Sequence, residues 1–261
     1  MSISSPGVMP DPTCDGHVHT SLCLHAAGSM EEYVQAALAK GLRRLVFLEH
    51  FEAGVNAPRR TWLTADDFAV YRREGERLRQ RYAGRIEIGL GVEVGYNPRQ
   101  VDTTLAFLRE QAWDRVGISC HFLEIAGRHY NLLSRNEKTL AVFGNYGVAR
   151  ALAEYFSLLA EAVESLPATV LCHLDAALRH HPEVGPALAA QSQSPVFERI
   201  FKAMAVNGMA LEINTSGFAH RRRQPYPGPE LLARAAAYQL PLEIGSDAHA
   251  PPEVGRYFNQ V

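Results

Sequence analysis

The sequence predicts an α/β fold in which about seven parallel strands close into a β/α barrel. Two observations carry this. Strand-like and helix-like stretches alternate along all 261 residues, with no internal linker, low-complexity run or repeat, and such alternation builds a parallel sheet covered by helices. The histidines and acidic residues able to bind metal stand at the C-terminal ends of strands drawn from the start, middle and end of the chain. An open sheet would spread them across its width, since neighbouring strands lie about 4.8 Å apart. Closure gathers them at one mouth, the face on which β/α barrels carry their active sites.

The first strand is read over 15–20, where His17 and His19 point to the same side because strand side chains alternate. A helix follows over 29–40, with Met30, Tyr33, Val34, Ala37 and Leu38 on one face. Ser29 reads as its N-cap, with Glu32 at the spacing of a capping box. The second strand, 44–49, leads into His50, and a helix over 66–82 precedes the third strand, 86–93, which ends on Glu93. Next come a helix over 99–111, a strand over 115–121 ending on His121, a helix over 146–165 and a strand over 169–173 ending on His173. A helix over 196–206, a strand over 210–214, a helix over 229–238 and a strand over 242–245 complete the series, and Asp247 and His249 follow. Residues 1–14 read as an N-terminal extension to a single domain over 15–261, and 125–144 as a loop-like stretch.

Composition sets the context. With 47% hydrophobic and 21% charged residues the chain can bury a full core. A formal net charge of -2 offers no polycation for nucleic acid and no basic face for a membrane. No apolar run approaches the roughly 18 residues of a membrane span, and residues 1–11 lack the basic start and apolar core of a signal peptide, so a cytoplasmic location is expected. The cysteines Cys14, Cys23, Cys120 and Cys172 have no zinc-ribbon or redox spacing. Cys120 and Cys172 immediately precede His121 and His173, so in a strand they face away and pack; Cys23, between His19 and His25, is read as structural too.

In order along the chain stand His17-Val-His19, Leu48-Glu49-His50, Gly91-Val92-Glu93, Ser119-Cys-His121-Phe122, Cys172-His173-Leu-Asp175, Leu211-Glu-Ile-Asn214-Thr-Ser-Gly217 and Gly245-Ser-Asp247-Ala-His249. From about Asp15 to Phe258 this series resembles the PHP (polymerase and histidinol phosphatase) family, and within it the monofunctional histidinol-phosphate phosphatases. The resemblance implies a distorted seven-stranded parallel β/α barrel, TIM-like and PHP-type, with two to three divalent metal ions. It implies that His17, His19, Glu93 and Asp247 hold a first metal, that Glu93, His121 and His173 hold a second with Glu93 bridging, and that His25, His50 and His249 hold a third. Imidazole and carboxylate donors suit zinc, iron or manganese, whereas calcium or magnesium calls for nearly all oxygen. His129, His180, His181 and His220 fall outside the pattern.

The implied function is metal-dependent hydrolysis of a small phosphomonoester, L-histidinol phosphate, to L-histidinol and phosphate in histidine biosynthesis. Such a cluster makes hydroxide available near neutral pH and neutralises phosphoryl oxygens. Asp247 or His249 would carry the proton to the leaving alkoxide. One arginine of Arg221, Arg222 and Arg223, or Arg179 six residues after His173, would clamp phosphate, which a guanidinium does in bidentate fashion. Asp175 would orient His173 or bind the substrate's amino group. Asn214 would support a ligand or cap its strand, and Glu49 would pack or bond a loop.

Two other functions compete. A PHP-type phosphodiesterase or nuclease would act on nucleotides or nucleic-acid ends, but aromatic residues are not interleaved with a long basic stripe. An inactive metal-binding interaction module is opposed by the intact ligand set. Related phosphatases continue past the last motif into a closing segment, whereas this chain stops at Val261. An apolar edge exposed there would favour a homodimer.

Overall fold

Seven parallel strands wrap around a buried interior, and a two-stranded hairpin stands beside their C-terminal ends. A computed structural model describes residues 10–261. Of the extension expected over 1–14, residues 1–9 lie outside the described residues. The strands are β1 (Cys14–Val18), β2 (Arg44–Glu52), β3 (Glu87–Gly95), β4 (Arg115–Ser119), β5 (Phe122–Ile125), β6 (Arg128–Asn131), β7 (Val170–Leu171), β8 (Ala210–Asn214) and β9 (Leu242–Gly245). The helices are α1 (Met30–Ala39), α2 (Ala65–Arg81), α3 (Val101–Arg109), α4 (Glu137–Tyr146), α5 (Val148–Ser165), α6 (Val184–Gln191), α7 (Val196–Asn207) and α8 (Pro229–Ala236).

The parallel sheet runs β1-β2-β3-β4-β7-β8-β9. It is nearly closed: Val18 bridges Ala248 in parallel, and the backbone N–H of His19 donates to Ala248 O at 3.0 Å. The fully buried Asp15 carboxylate reinforces that seam by accepting from the Ser246 backbone N–H at 2.9 Å and from the Ser246 hydroxyl. Register places His50 opposite Glu93. Between Asp15 and Val18 the β1–β2 pairing shifts by a bulge, a device that re-aims side chains next to active sites; His17 lies inside it.

The helices bury the faces that their periodicity predicts. Met30, Tyr33, Val34 and Ala37 of α1 are buried, and Leu38 is half-buried. Ser29 and Glu32 form the expected capping box, with the Ser29 N–H donating to Glu32 Oε2 at 2.6 Å. Inside the barrel, Leu48, Val170, Cys172 and Ala210 pack as a small separate cluster.

The stretch 125–144 is not a loop. It contains most of the β5–β6 hairpin and the first turns of α4. The hairpin turns on Ala126 and Gly127, both with positive φ, as tight hairpins demand; Ala-Gly lacks the Asn-Gly or Asp-Gly signature that would have marked it. Helix α6 is not expected from the sequence, because Gly185 and Pro186 look like breakers. Proline is tolerated in a first turn, where its missing N–H is unpaired anyway, and Pro186 sits there.

Candidate metal centre

All nine expected ligands converge at one end of the barrel. Four come together from β1, β3 and the segment after β9. His17 Nε2 lies 3.0 Å from His19 Nε2 and 3.5 Å from Glu93 Oε2, while His19 Nε2 lies 3.8 Å from Glu93 Oε2 and 3.3 Å from Asp247 Oδ1. Donors about 2.0–2.2 Å from a tetrahedral zinc stand about 3.3 Å from one another, so this spacing fits an ion. The other Glu93 oxygen, Oε1, lies 2.7 Å from His173 Nε2 and 3.2 Å from His121 Nε2.

Farther out, His25 Nε2 and His249 Nε2 are 2.9 Å apart. His50 is shared: its Nδ1 lies 3.0 Å from Glu93 Oε2, its ring stacks on His19 with centroids 4.2 Å apart, and His25 is 5.2 Å away. The groups that could close on one ion pair His50 with His19 and His249, and His25 with His249 and the buried Cys23. His50 therefore faces both ends of the cluster rather than only the outer one.

Two independent features mark the cluster as built for cations. Among the described residues, both His50 nitrogens, His121 Nε2, His173 Nδ1 and Glu93 Oε2 are buried without a hydrogen-bond partner, and each such atom costs about 1–3 kcal/mol. His173 and Asp247 also have positive φ, at 23° and 50°, a strained geometry that persists where the surroundings impose it. Burial pushes the Glu93 carboxyl upward, but His121, His17, His50 and His173 outweigh it and hold the group well below the usual carboxylate range. Burial, then the charge of His19, drives His50 and His249 well below the ordinary imidazole value.

Carboxylates behind the ligands aim them. His17 Nδ1 donates to Glu212 Oε1 at 2.6 Å, and Glu212 Oε2 accepts from the His173 backbone N–H at 2.9 Å and from Asn214 Nδ2 at 3.1 Å. His121 Nδ1 donates to Glu52 Oε1 at 2.7 Å. Each carboxylate has a glycine making room for it: a Cβ at Gly245 would overlap Glu212, and one at Gly95 would overlap Glu52. Glu212 and Glu52 escaped sequence reading, although alternation from Asn214 puts Glu212 on the inward face, where a barrel favours apolar residues. Such partners fix ring orientation, and their loss costs about 10–100-fold in metal affinity. Glu212→Gln is expected to weaken zinc binding by that factor, measured by competition with a chromogenic chelator.

Asn214 does both jobs considered for it, supporting Glu212 and accepting from the Ser216 backbone N–H at 3.1 Å. Glu49 bonds a loop, accepting from the Thr20 N–H. Asp175 does not orient His173: its carboxylate holds Arg222 at 2.8 Å and the Gly228 N–H at 3.2 Å.

Over the cluster opens a mouth of about 500 Å³, lined by His25, His50, His121, His173, Asp247 and His249 and by Arg59, Arg135, Arg179 and Arg256. The Arg221–Arg223 run does not line it. Arg222 is engaged by Asp175, Arg223 turns back to Phe218 O, and Arg221 is exposed. Arg179 does line it, with Nε and Nη1 buried and without partners among the described residues.

A family model described as the PHP domain matches residues 15–216. The "probable histidinol-phosphatase" of Deinococcus radiodurans is 32% identical over 94% of this chain and 89% of its own length. A crystal structure of a Listeria monocytogenes protein placed among the histidinol phosphatases superposes with a TM-score of 0.85 at 22% identity, covering 95% of this chain and 99% of that one. The histidinol phosphate phosphatase of Lactococcus lactis, crystallised with zinc, L-histidinol and phosphate, gives 0.76 at 21% identity, covering 91% and 86%. The two structures bear out the seven-stranded barrel, and the match over 15–216 together with the 32% identical relative shows that this chain belongs to the PHP domain family.

Proposed function

We propose that this chain is a metal-dependent phosphomonoesterase that hydrolyses L-histidinol phosphate to L-histidinol and phosphate, a step of histidine biosynthesis in the cytoplasm. The observation that carries the reading is Glu93, whose two oxygens face five imidazoles beneath an arginine-lined mouth. Support comes from the name of the Deinococcus relative and from the L-histidinol and phosphate held by the Lactococcus enzyme. Among the described residues no helix is long and apolar enough to cross a membrane.

His17, His19, Glu93 and Asp247 would hold one zinc, iron or manganese ion, Glu93, His121 and His173 a second, and His25, His249 and His50 a third. Bound there, the ions supply a nucleophilic hydroxide and offset charge on the phosphoryl oxygens. The protein does the rest. Arg179 binds phosphate oxygens from the wall of the mouth, with two N–H groups free to point at them. Glu212 and Glu52 keep His17 and His121 aimed inward through the reaction. Asp247 and His249 also line the mouth, and in this reading one of them carries a proton to the leaving alkoxide.

Phosphate release from L-histidinol phosphate beside other phosphomonoesters, cyclic nucleotides, a phosphodiester and a short oligonucleotide, with zinc, manganese or iron supplied, tests the reading. The expected outcome is a kcat/KM on L-histidinol phosphate of about 10⁴ M⁻¹s⁻¹ or more, well above every other compound. A preference for a diester would move the function to a phosphodiesterase.

A further inference from the structure

Beside the arginine-lined mouth lies a second cavity, of about 400 Å³, and Glu52 lines both. The two are opposite in charge. The second is lined by Glu52, Glu124, Glu154 and Glu161, with Arg99 its only lysine or arginine. Arg99 is committed to Glu124 at 3.2 Å on the exposed rim, and Glu154 accepts from Tyr146 and Arg150. Among the described residues Glu161 has no ion pair. Glu52 is 8% exposed; one of its oxygens accepts from His121 Nδ1, and among the described residues no hydrogen bond reaches the other. That free oxygen is not sealed from solvent, so a donor entering beside Glu52, which lines both spaces, can reach it.

The hairpin joins the two spaces. Phe122 pairs with Asn131 and Glu124 with His129, so alternation puts these four side chains on one face. Phe122, Glu124 and His129 line the acidic cavity and Asn131 the mouth. One surface thus runs from the phosphate-facing side to a carboxylate-lined pocket with an aromatic ring on its wall.

We propose that this cavity receives the cationic amino end of the substrate, with the ammonium group directed to Glu52 and Glu161 and the ring beyond it packed on Phe122. The inference rests on L-histidinol phosphate being the substrate: its amine lies a few bonds beyond the ester oxygen, and an anionic head and cationic tail match the two charges. It assigns to the acidic cavity the discrimination between a phosphorylated amino alcohol and a phosphomonoester without an amine.

The test compares kcat/KM for L-histidinol phosphate with that for p-nitrophenyl phosphate in metal-loaded wild type, Glu161→Gln and Glu124→Gln, and titrates each protein with L-histidinol alone by calorimetry. Glu161 and Glu124 are partly exposed, so folding is readily checked by melting. The ratio of the two kcat/KM values is expected to fall about tenfold in Glu161→Gln, the loss of one charge-assisted hydrogen bond, and L-histidinol binding to weaken in step. Glu124→Gln, which releases Arg99 into the rim, is expected to lower the ratio as well. A wild type that prefers L-histidinol phosphate and variants that keep the full ratio would overturn the acidic cavity alone. A wild type that hydrolyses both compounds without preference would contradict the substrate itself.

Discussion

Glu93→Gln is expected to lose about 10³-fold or more in kcat and to retain at most one of the ions that the wild type holds. Glu93 is fully buried on β3, between His50 on the neighbouring strand and Gly117 on the other. Its two oxygens reach toward both halves of the cluster. The amide keeps the shape and one acceptor but turns an NH₂ toward imidazole lone pairs, so one half loses its oxygen donor and the other a negative charge. Metal-ion stabilisation of a phosphoryl transition state is worth several kcal/mol, and each 1.36 kcal/mol is tenfold in rate. Metal analysis after desalting and steady-state phosphate release read the two effects separately. An amide variant with full metal content and full kcat would remove Glu93 from the centre of the account.

Arg179→Ala and Arg222→Ala should fail in different ways. Arg179 lines the mouth, its Nε and Nη1 buried and unpartnered among the described residues, and a pair of charge-assisted hydrogen bonds is worth about 10–100-fold or more in phosphate binding. The expected result is a KM for phosphomonoesters raised by about 10²-fold, with the urea midpoint close to wild type. Arg222 instead neutralises Asp175, whose side chain is 2% exposed. Burial raises the Asp175 carboxyl and Arg222 opposes that rise. Breaking a fully buried pair costs about 3–5 kcal/mol. With Arg222 22% exposed, about 2–3 kcal/mol of stability is the expected loss, visible in urea unfolding. If Arg222→Ala raised KM and Arg179→Ala did not, the phosphate side of the mouth would be misassigned.

The barrel was legible because its signals are local. Ala210–Asn214 and Leu242–Gly245 are observed with the bounds that alternation predicted, and α1 follows its capping box. The nine expected ligands could be placed at one mouth because strand ends in this fold all open on one face, so residue type, order and the family resemblance grouped them before any distance was known. What escaped depends on contacts distant in sequence. Glu212 reads as one more strand residue until His17, 195 positions away, is seen donating to it. Gly95 and Gly245 matter because of the carboxylates above them. The arginine run looked well placed for phosphate because its loop follows β8, yet the buried Asp175 captures Arg222 from across the fold. The hairpin was hidden by an Ala-Gly turn, and with it the acidic cavity that its face completes.

Anomalous diffraction from crystals of the zinc-loaded protein locates the ions themselves. One peak is expected among His17, His19, Glu93 and Asp247 and another among Glu93, His121 and His173, with Glu93 touching both and a third peak against His25 and His249. Peaks that leave Glu93 untouched, or a lone ion elsewhere in the chain, would contradict a centre bridged by Glu93.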